Sequence, residues 1–175
     1  NAVILDVQRE QAPRVGDERS MLEGWLDFHR QTLLGKCSGL DGEELARAAC
    51  APSALSLLAL VRHMTEVERH WLRRPWNAEL DWVYCTDEDG DADFDRVDPA
   101  RASADVAAYR AEVTVCRESI AVHDLDEETA FPNPNTGEQR LFSVRWIYLH
   151  MIEEYARHNG HADLVRELID GTTGD

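Results

Sequence analysis

Apolar residues recur every three to four positions in four long segments of the chain, the spacing of one face of an α-helix. Capping or helix-initiating residues stand at the head of each segment. These start signals are Asp17, Pro52–Ser53, Ser103 or Asp105, and Ser143. Glycine or proline follows three of the segments, at Gly39, Pro75 and Gly171. The pattern therefore predicts four long amphipathic helices.

Four such helices joined by modest loops predict an all-α fold, a four-helix bundle. A long acidic loop, residues 77–101, separates the second helix from the third. We expect its Asp87–Asp93 run to be solvated, because Ala92 stands where a calcium-binding loop of the EF-hand type needs glycine. Phe131 and Leu141–Phe142 flank a turn sequence and could pair as a small hairpin.

The chain of 175 residues is long enough for one hydrophobic core. We predict a single helical-bundle domain over residues 3–175, with residues 1–2 as the remnant of a purification tag. No apolar run approaches the ~20 residues that span a bilayer, and the start does not resemble a signal peptide. A cytoplasmic protein without membrane association is expected. Its scattered cysteines fit a reducing compartment; they are Cys37, Cys50, Cys85 and Cys116.

The net charge of −16, from 34 acidic and 18 basic residues, changes the range of expected partners. A chain this acidic repels phosphate backbones, and no basic stripe offsets the repulsion. Nucleic-acid binding is therefore not expected. An anionic substrate would need a local cluster of basic side chains.

The fourth helix carries an unusual concentration of histidine and glutamate. His150, Glu154 and His158 are four residues apart, so they stack on one side of the helix. His158 points near the centre of the apolar face and Glu154 toward its edge, whereas His150 and His161 lie at the rim. A histidine and a glutamate facing a core are costly unless they are paired or bind a metal.

The second helix offers a partner, His63, which flanks its apolar face. Metal sites in helical bundles are built from side chains on facing helices. His63, Glu154 and His158 would form a set of two histidines and one carboxylate, which leaves coordination positions open for catalysis. The remaining histidines are expected at the surface; they are His29, His70 and His123.

These residues resemble two motifs of the DinB superfamily of metal-dependent four-helix proteins. Its members carry a histidine on the second helix, matched by His63 in VRHMTEVERHW, and a run like HxxxHxxxHRGQ on the fourth, matched by HMIEEYARHNGH. Glu154 stands at the middle histidine of that run and His158 at the last. The resemblance covers nearly the whole chain, and the final stretch especially resembles an actinobacterial subgroup of unassigned function.

The departures from the family pattern concern the same run. Because Glu154 replaces a histidine, the set is similar to that of mycothiol-dependent maleylpyruvate isomerase, a relative with the pattern ExxxHxxDL. His161 stands where that relative has aspartate, so it could act as a base or as a fourth ligand. The resemblance implies a bundle with the metal at one end, and a transferase or isomerase that uses a low-molecular-weight thiol.

Three hypotheses follow. The first is a metal-dependent enzyme in which His63, Glu154 and His158 hold Zn²⁺, or alternatively Ni²⁺ or Fe²⁺, and activate mycothiol toward a small electrophile. Arg62 or Arg157 would steer an anionic substrate. The second is metal-dependent hydrolysis with His161 as general base. The third is a non-enzymatic bundle that binds metal or forms a homodimer.

Overall fold

The structure is a computed structural model that describes Val3, residues 5–133 and residues 136–174. Four long helices dominate: α1 (Glu18–Cys37), α3 (Leu57–Leu72), α5 (Ala102–Ala121) and α6 (Val144–Asp170). Two short helices, α2 (Gly42–Leu45) and α4 (Ala92–Asp95), and two 3₁₀ turns, Arg74–Trp76 and Pro99–Arg101, lie in the connections. Strands β1 (Glu128–Pro132) and β2 (Gln139–Ser143) precede α6.

The prediction of an all-α four-helix bundle is wrong. The described residues are about 57% helical, with six α-helices and a two-stranded antiparallel sheet, so the fold is mixed. The sheet pairs Thr129 with Phe142 and Phe131 with Arg140. Each strand has only five residues, which is too short for alternation to stand out in the sequence. The hairpin packs Phe131 and Phe142 against Trp71 of α3.

The helix ends follow local capping chemistry. The side chains of Asp17 and Ser143 accept backbone N–H groups at the starts of α1 and α6, as predicted. Gly171 ends α6 in the left-handed conformation, with φ of 78°. Helix α3 begins later than predicted, because Ser56 rather than Ser53 is its N-cap. No helix among the described residues is both long and apolar enough to cross a membrane.

One buried polar network joins all four long helices. Arg30 of α1 donates two hydrogen bonds of 2.7 Å to the carboxylate of Glu68 on α3. Tyr155 of α6 donates to the same carboxylate at 2.6 Å and lies 2.8 Å from the hydroxyl of Tyr109 on α5. Burial, reinforced by the charge of Glu68, raises the pKa of Tyr155 well above its usual range. The network therefore sets how α6 lies against α3.

Replacing Glu68 with glutamine should lower the free energy of unfolding by about 3–5 kcal/mol, because Arg30 would lose its buried counterion and keep only the partly exposed Asp27 as a charged partner. Denaturant unfolding followed by circular dichroism measures this change. The control is Glu153→Gln, which removes a half-exposed pair with Arg157 and should cost less than about 1 kcal/mol. Equally small losses in both variants would contradict the assigned role of the network.

Candidate metal centre

Helices α3 and α6 bring three ligand-type side chains together at one place. His63 of α3 and Glu154 and His158 of α6 each offer one ligand atom, and these atoms all lie within 4.8 Å of one another. The imidazole rings of His63 and His158 meet edge to face with centroids 4.8 Å apart. The Glu154 carboxylate lies 3.4 Å from Nε2 of His158. This spacing is small enough for a single cation to draw all three groups together.

His63 is held in place by a carboxylate from the loop that follows α3. Its Nδ1 lies 2.8 Å from Oδ2 of Asp93, and Asp93 is only 3% exposed. The Phe94 ring packs on the imidazole at 4.4 Å. A carboxylate bonded to one ring nitrogen fixes the orientation of the histidine and presents the other nitrogen, here Nε2, to a metal.

Arg62 fastens α4 to α3, which in turn places Asp93. Its guanidinium donates to the backbone carbonyls of Asp93 and Ala92, at 2.9 and 2.8 Å. It also pairs with Asp105 at 3.3 Å and stacks over the ring of Tyr84. Arg62 is only 4% exposed, so its contacts support the site from behind. The steering of an anionic substrate stays a prediction.

His158 has the properties of an available ligand. Its Nδ1 is buried and has no hydrogen-bond partner within the described part of the chain. Burial, reinforced by neighbouring basic side chains, lowers the pKa of His158 to about 4, so the ring is neutral at pH 7. A neutral imidazole is the form that binds a metal, and a buried ring nitrogen without a partner is costly. The residues present therefore fit a divalent cation.

The other predicted residues of α6 lie around this cluster. His150 contacts Glu153 at 3.3 Å and Glu154 at 3.7 Å, and these three residues form a second, overlapping group of ligand-type atoms. His161 is exposed, with its ring 5.4 Å from that of His158. The side chain of Arg157 is 60% exposed and pairs with Glu153. His161 is therefore close enough to act beside the cluster, and its role stays a prediction.

An open cavity of about 340 Å³ adjoins His63. One face of α3 forms its floor, with lining residues at the helical spacing 63, 66, 67, 70 and 71. The opposite side comes from Trp82 and Cys85 of the loop before α4 and from Asp93 of α4 itself. A small molecule in this cavity would lie beside His63, the member of the ligand cluster that lines it.

The family of the chain follows from comparison with known proteins. Residues 21–171 match the model of a family described as mycothiol-S-transferase. The chain belongs to the mycothiol-S-transferase family. This family is part of the DinB-like superfamily, which confirms the resemblance drawn from His63 and the α6 run. No curated protein and no solved structure matches the chain significantly.

Several residues of the site were not predicted from the sequence. Asp93 lies in the acidic run that we expected to be solvated, and nothing in its spacing distinguishes it from its exposed neighbours. His70, expected at the surface, is half-buried among aromatic rings. The spacing of His70, four residues from Glu66 and seven from His63, indicates its position, since these three residues share one face of α3.

Purified protein loaded with Zn²⁺ should hold one ion per chain, and either His63→Ala or His158→Ala should abolish this binding, because each removes one of three ligands. Metal content after dialysis, measured by mass spectrometry, tests the prediction. His150→Ala serves as the matched control and should keep the ion. Loss of metal in His150→Ala with retention in His158→Ala would place the ion in the overlapping group instead.

Replacing Asp93 with asparagine should weaken metal affinity by about 10–100-fold, because the charged partner of His63 is lost. Competition with a chromogenic chelator measures the dissociation constant. Asp91→Asn is the control, since Asp91 is exposed in the same loop and its side chain makes no capping bond. Equal affinities in the two variants would show that Asp93 does not support the site.

Proposed function

We propose that this member of the mycothiol-S-transferase family is a metal-dependent enzyme that transfers mycothiol to a small electrophile. The observation that carries the proposal is the convergence of His63, Glu154 and His158 from two helices, with ligand atoms within 4.8 Å of one another. Family membership supports the thiol-transfer class of reaction. Zn²⁺ is the ion that we propose first, with Ni²⁺ or Fe²⁺ as alternatives for the same donor set.

A divalent ion at this position would lower the pKa of a thiol and favour the thiolate, which is the nucleophile. The chain's own residues would supply positioning and charge. Asp93 keeps the His63 ring in one orientation, His158 stays neutral at pH 7, and Glu154 offsets positive charge. A set of two histidines and one carboxylate would leave room for an incoming thiol.

The proposed transfer has a simple balance. The thiol loses its proton, its sulfur forms a bond to the electrophilic carbon, and the leaving group departs with the electron pair of the bond that breaks. We propose His161 as the acceptor of the thiol proton, because it is exposed to solvent and next to His158. Arg157 at the same rim is the proposed site for an anionic part of a substrate.

The cavity beside His63 favours an enzyme over a protein that only stores metal. Storage would suit an enclosed site, whereas here an open space of about 340 Å³ adjoins His63. A homodimer and a cytoplasmic location stay predictions. The described cysteines are free thiols, in keeping with a reducing compartment.

Conjugation of mycothiol to 1-chloro-2,4-dinitrobenzene should fall to the uncatalysed rate after the metal is stripped, because no other group in the cluster would stabilise the thiolate. Adding back Zn²⁺, Ni²⁺ or Fe²⁺ should restore turnover in the wild type but not in His158→Ala. Absorbance of the conjugate follows the reaction. Glutathione in place of mycothiol is the control for thiol specificity.

Thiol-dependent turnover that survives chelation would contradict this proposal. Metal-dependent hydrolysis of an ester such as 4-nitrophenyl acetate, with no thiol present and no conjugation when thiol is added, would point to the hydrolase instead.

A further inference from the structure

The cavity beside His63 contains a buried carboxylate that the proposed thiol chemistry does not use. Glu66 lines the cavity and is only 4% exposed. Its Oε1 accepts three backbone N–H groups from the loop before α4, from Val83, Tyr84 and Cys85, at 2.9, 2.6 and 3.0 Å. The loop therefore fixes the position of this carboxylate.

The second oxygen of Glu66 has no such partner. Among the described residues Oε2 has no hydrogen-bond partner, although this atom is buried. An oxygen left in this state costs free energy that a donor from a ligand would recover. Because Oε1 is already used by the loop, Oε2 is the acceptor that Glu66 retains for a donor on a bound molecule.

His70 lines the same cavity and carries a second unpaired polar atom. It stacks on Trp82 with ring centroids 5.6 Å apart and contacts Trp71 at 5.0 Å. Its Nδ1 is buried without a partner in the described part of the chain. Burial, with smaller contributions from nearby Arg74 and His150, lowers the pKa of His70 to about 4. The ring is therefore neutral at pH 7.

The remaining walls of the cavity are mostly apolar, with Thr86 and Asp93 as polar exceptions beside His63. Trp71, Trp82 and Val67 line it, and Arg74 holds Trp82 in place by stacking 4.0 Å over its ring. Burial raises the pKa of Cys85 to about 11, so this lining thiol is uncharged at pH 7. A ligand that suits these walls is a flat apolar ring.

We propose that this cavity binds an uncharged aromatic ring that carries a hydroxyl or amino donor, with Glu66 Oε2 accepting the donor hydrogen. A ring bearing a carboxylate would be rejected, because its charge would face the Glu66 carboxylate. The binding of such a ring rests on the cavity alone. The further claim that this ring is part of the electrophile rests on the proposed function.

Three matched probes test the binding: 4-ethylphenol, its methyl ether 4-ethylanisole, and 4-ethylbenzoate. In metal-free wild-type protein, 4-ethylphenol should bind about tenfold more tightly than either of the others, as a hydrogen bond to a charged group provides. Dissociation constants come from ligand-observed NMR titration. In protein-observed NMR spectra, the indole N–H resonance of Trp82 should shift on binding. That of Trp25, half-exposed on α1, should not.

Glu66→Gln separates the two roles of this side chain. Glutamine keeps an acceptor oxygen for the three loop N–H groups and replaces Oε2 with an amide donor. The ratio of 4-ethylanisole to 4-ethylphenol dissociation constants should fall from about ten to about one. Glu88→Gln, an exposed change in the same loop, should leave the ratio as in the wild type.

Equal binding of phenol and ether by the wild type, tighter binding of the benzoate, or a shift at Trp25 alone would overturn the proposal. All three outcomes are measured on the metal-free wild-type protein, so they do not depend on the folding of a variant. A phenol preference without metal-dependent turnover would keep the cavity assignment and contradict the proposed function, whereas turnover without a phenol preference would do the reverse.

Discussion

The arrangement of the whole molecule depends on the buried ion pair between Arg30 of α1 and Glu68 of α3. Two hydrogen bonds of 2.7 Å join them, and the hydroxyl of Tyr155 on α6 completes the coordination of the carboxylate. A pair of this kind is costly to break, since Glu68 would be buried without its counterion and Arg30 would keep only the partly exposed Asp27 as a charged partner. Because Glu68 lies five residues after His63, and Tyr155 directly follows Glu154, the contact that locks α6 onto α3 also brings the ligand cluster together.

The site combines support from two directions. The core network positions the two ligands on α6, whereas the loop after α3 positions His63 through Asp93. Arg62 attaches that loop to α3 by backbone and carboxylate contacts. Glu66 of α3 also attaches this loop, because its carboxylate accepts the backbone N–H of Tyr84. The cavity thus has one rigid wall, the face of α3, and one wall whose position depends on these few polar contacts.

Local patterns in the sequence were sufficient for the long helices and for the spacing on α6. Asp17 and Ser143 cap their helices as expected, and the separation of Glu154 and His158 predicts their shared face. The hairpin at Phe131 and Phe142 was indicated only by its turn sequence, and the later start of α3 and the roles of Asp93 and Glu68 were not predicted. The two roles depend on partners distant in the chain, Asp93 on His63 and Glu68 on Arg30, as the short strands depend on the Trp71 surface. A charged residue such as Glu68 is normally assigned to the surface, because burial requires a counterion that periodicity does not identify.

The central claim is that His63, Glu154 and His158 hold one divalent ion. A crystal structure of the Zn²⁺-loaded protein, with anomalous data collected at the zinc edge, tests it most directly. The account predicts a single anomalous peak about 2.0–2.2 Å from a nitrogen of each histidine and from an oxygen of Glu154. A peak bound by His150 and Glu153 instead, or no peak near His63 and His158, would contradict it.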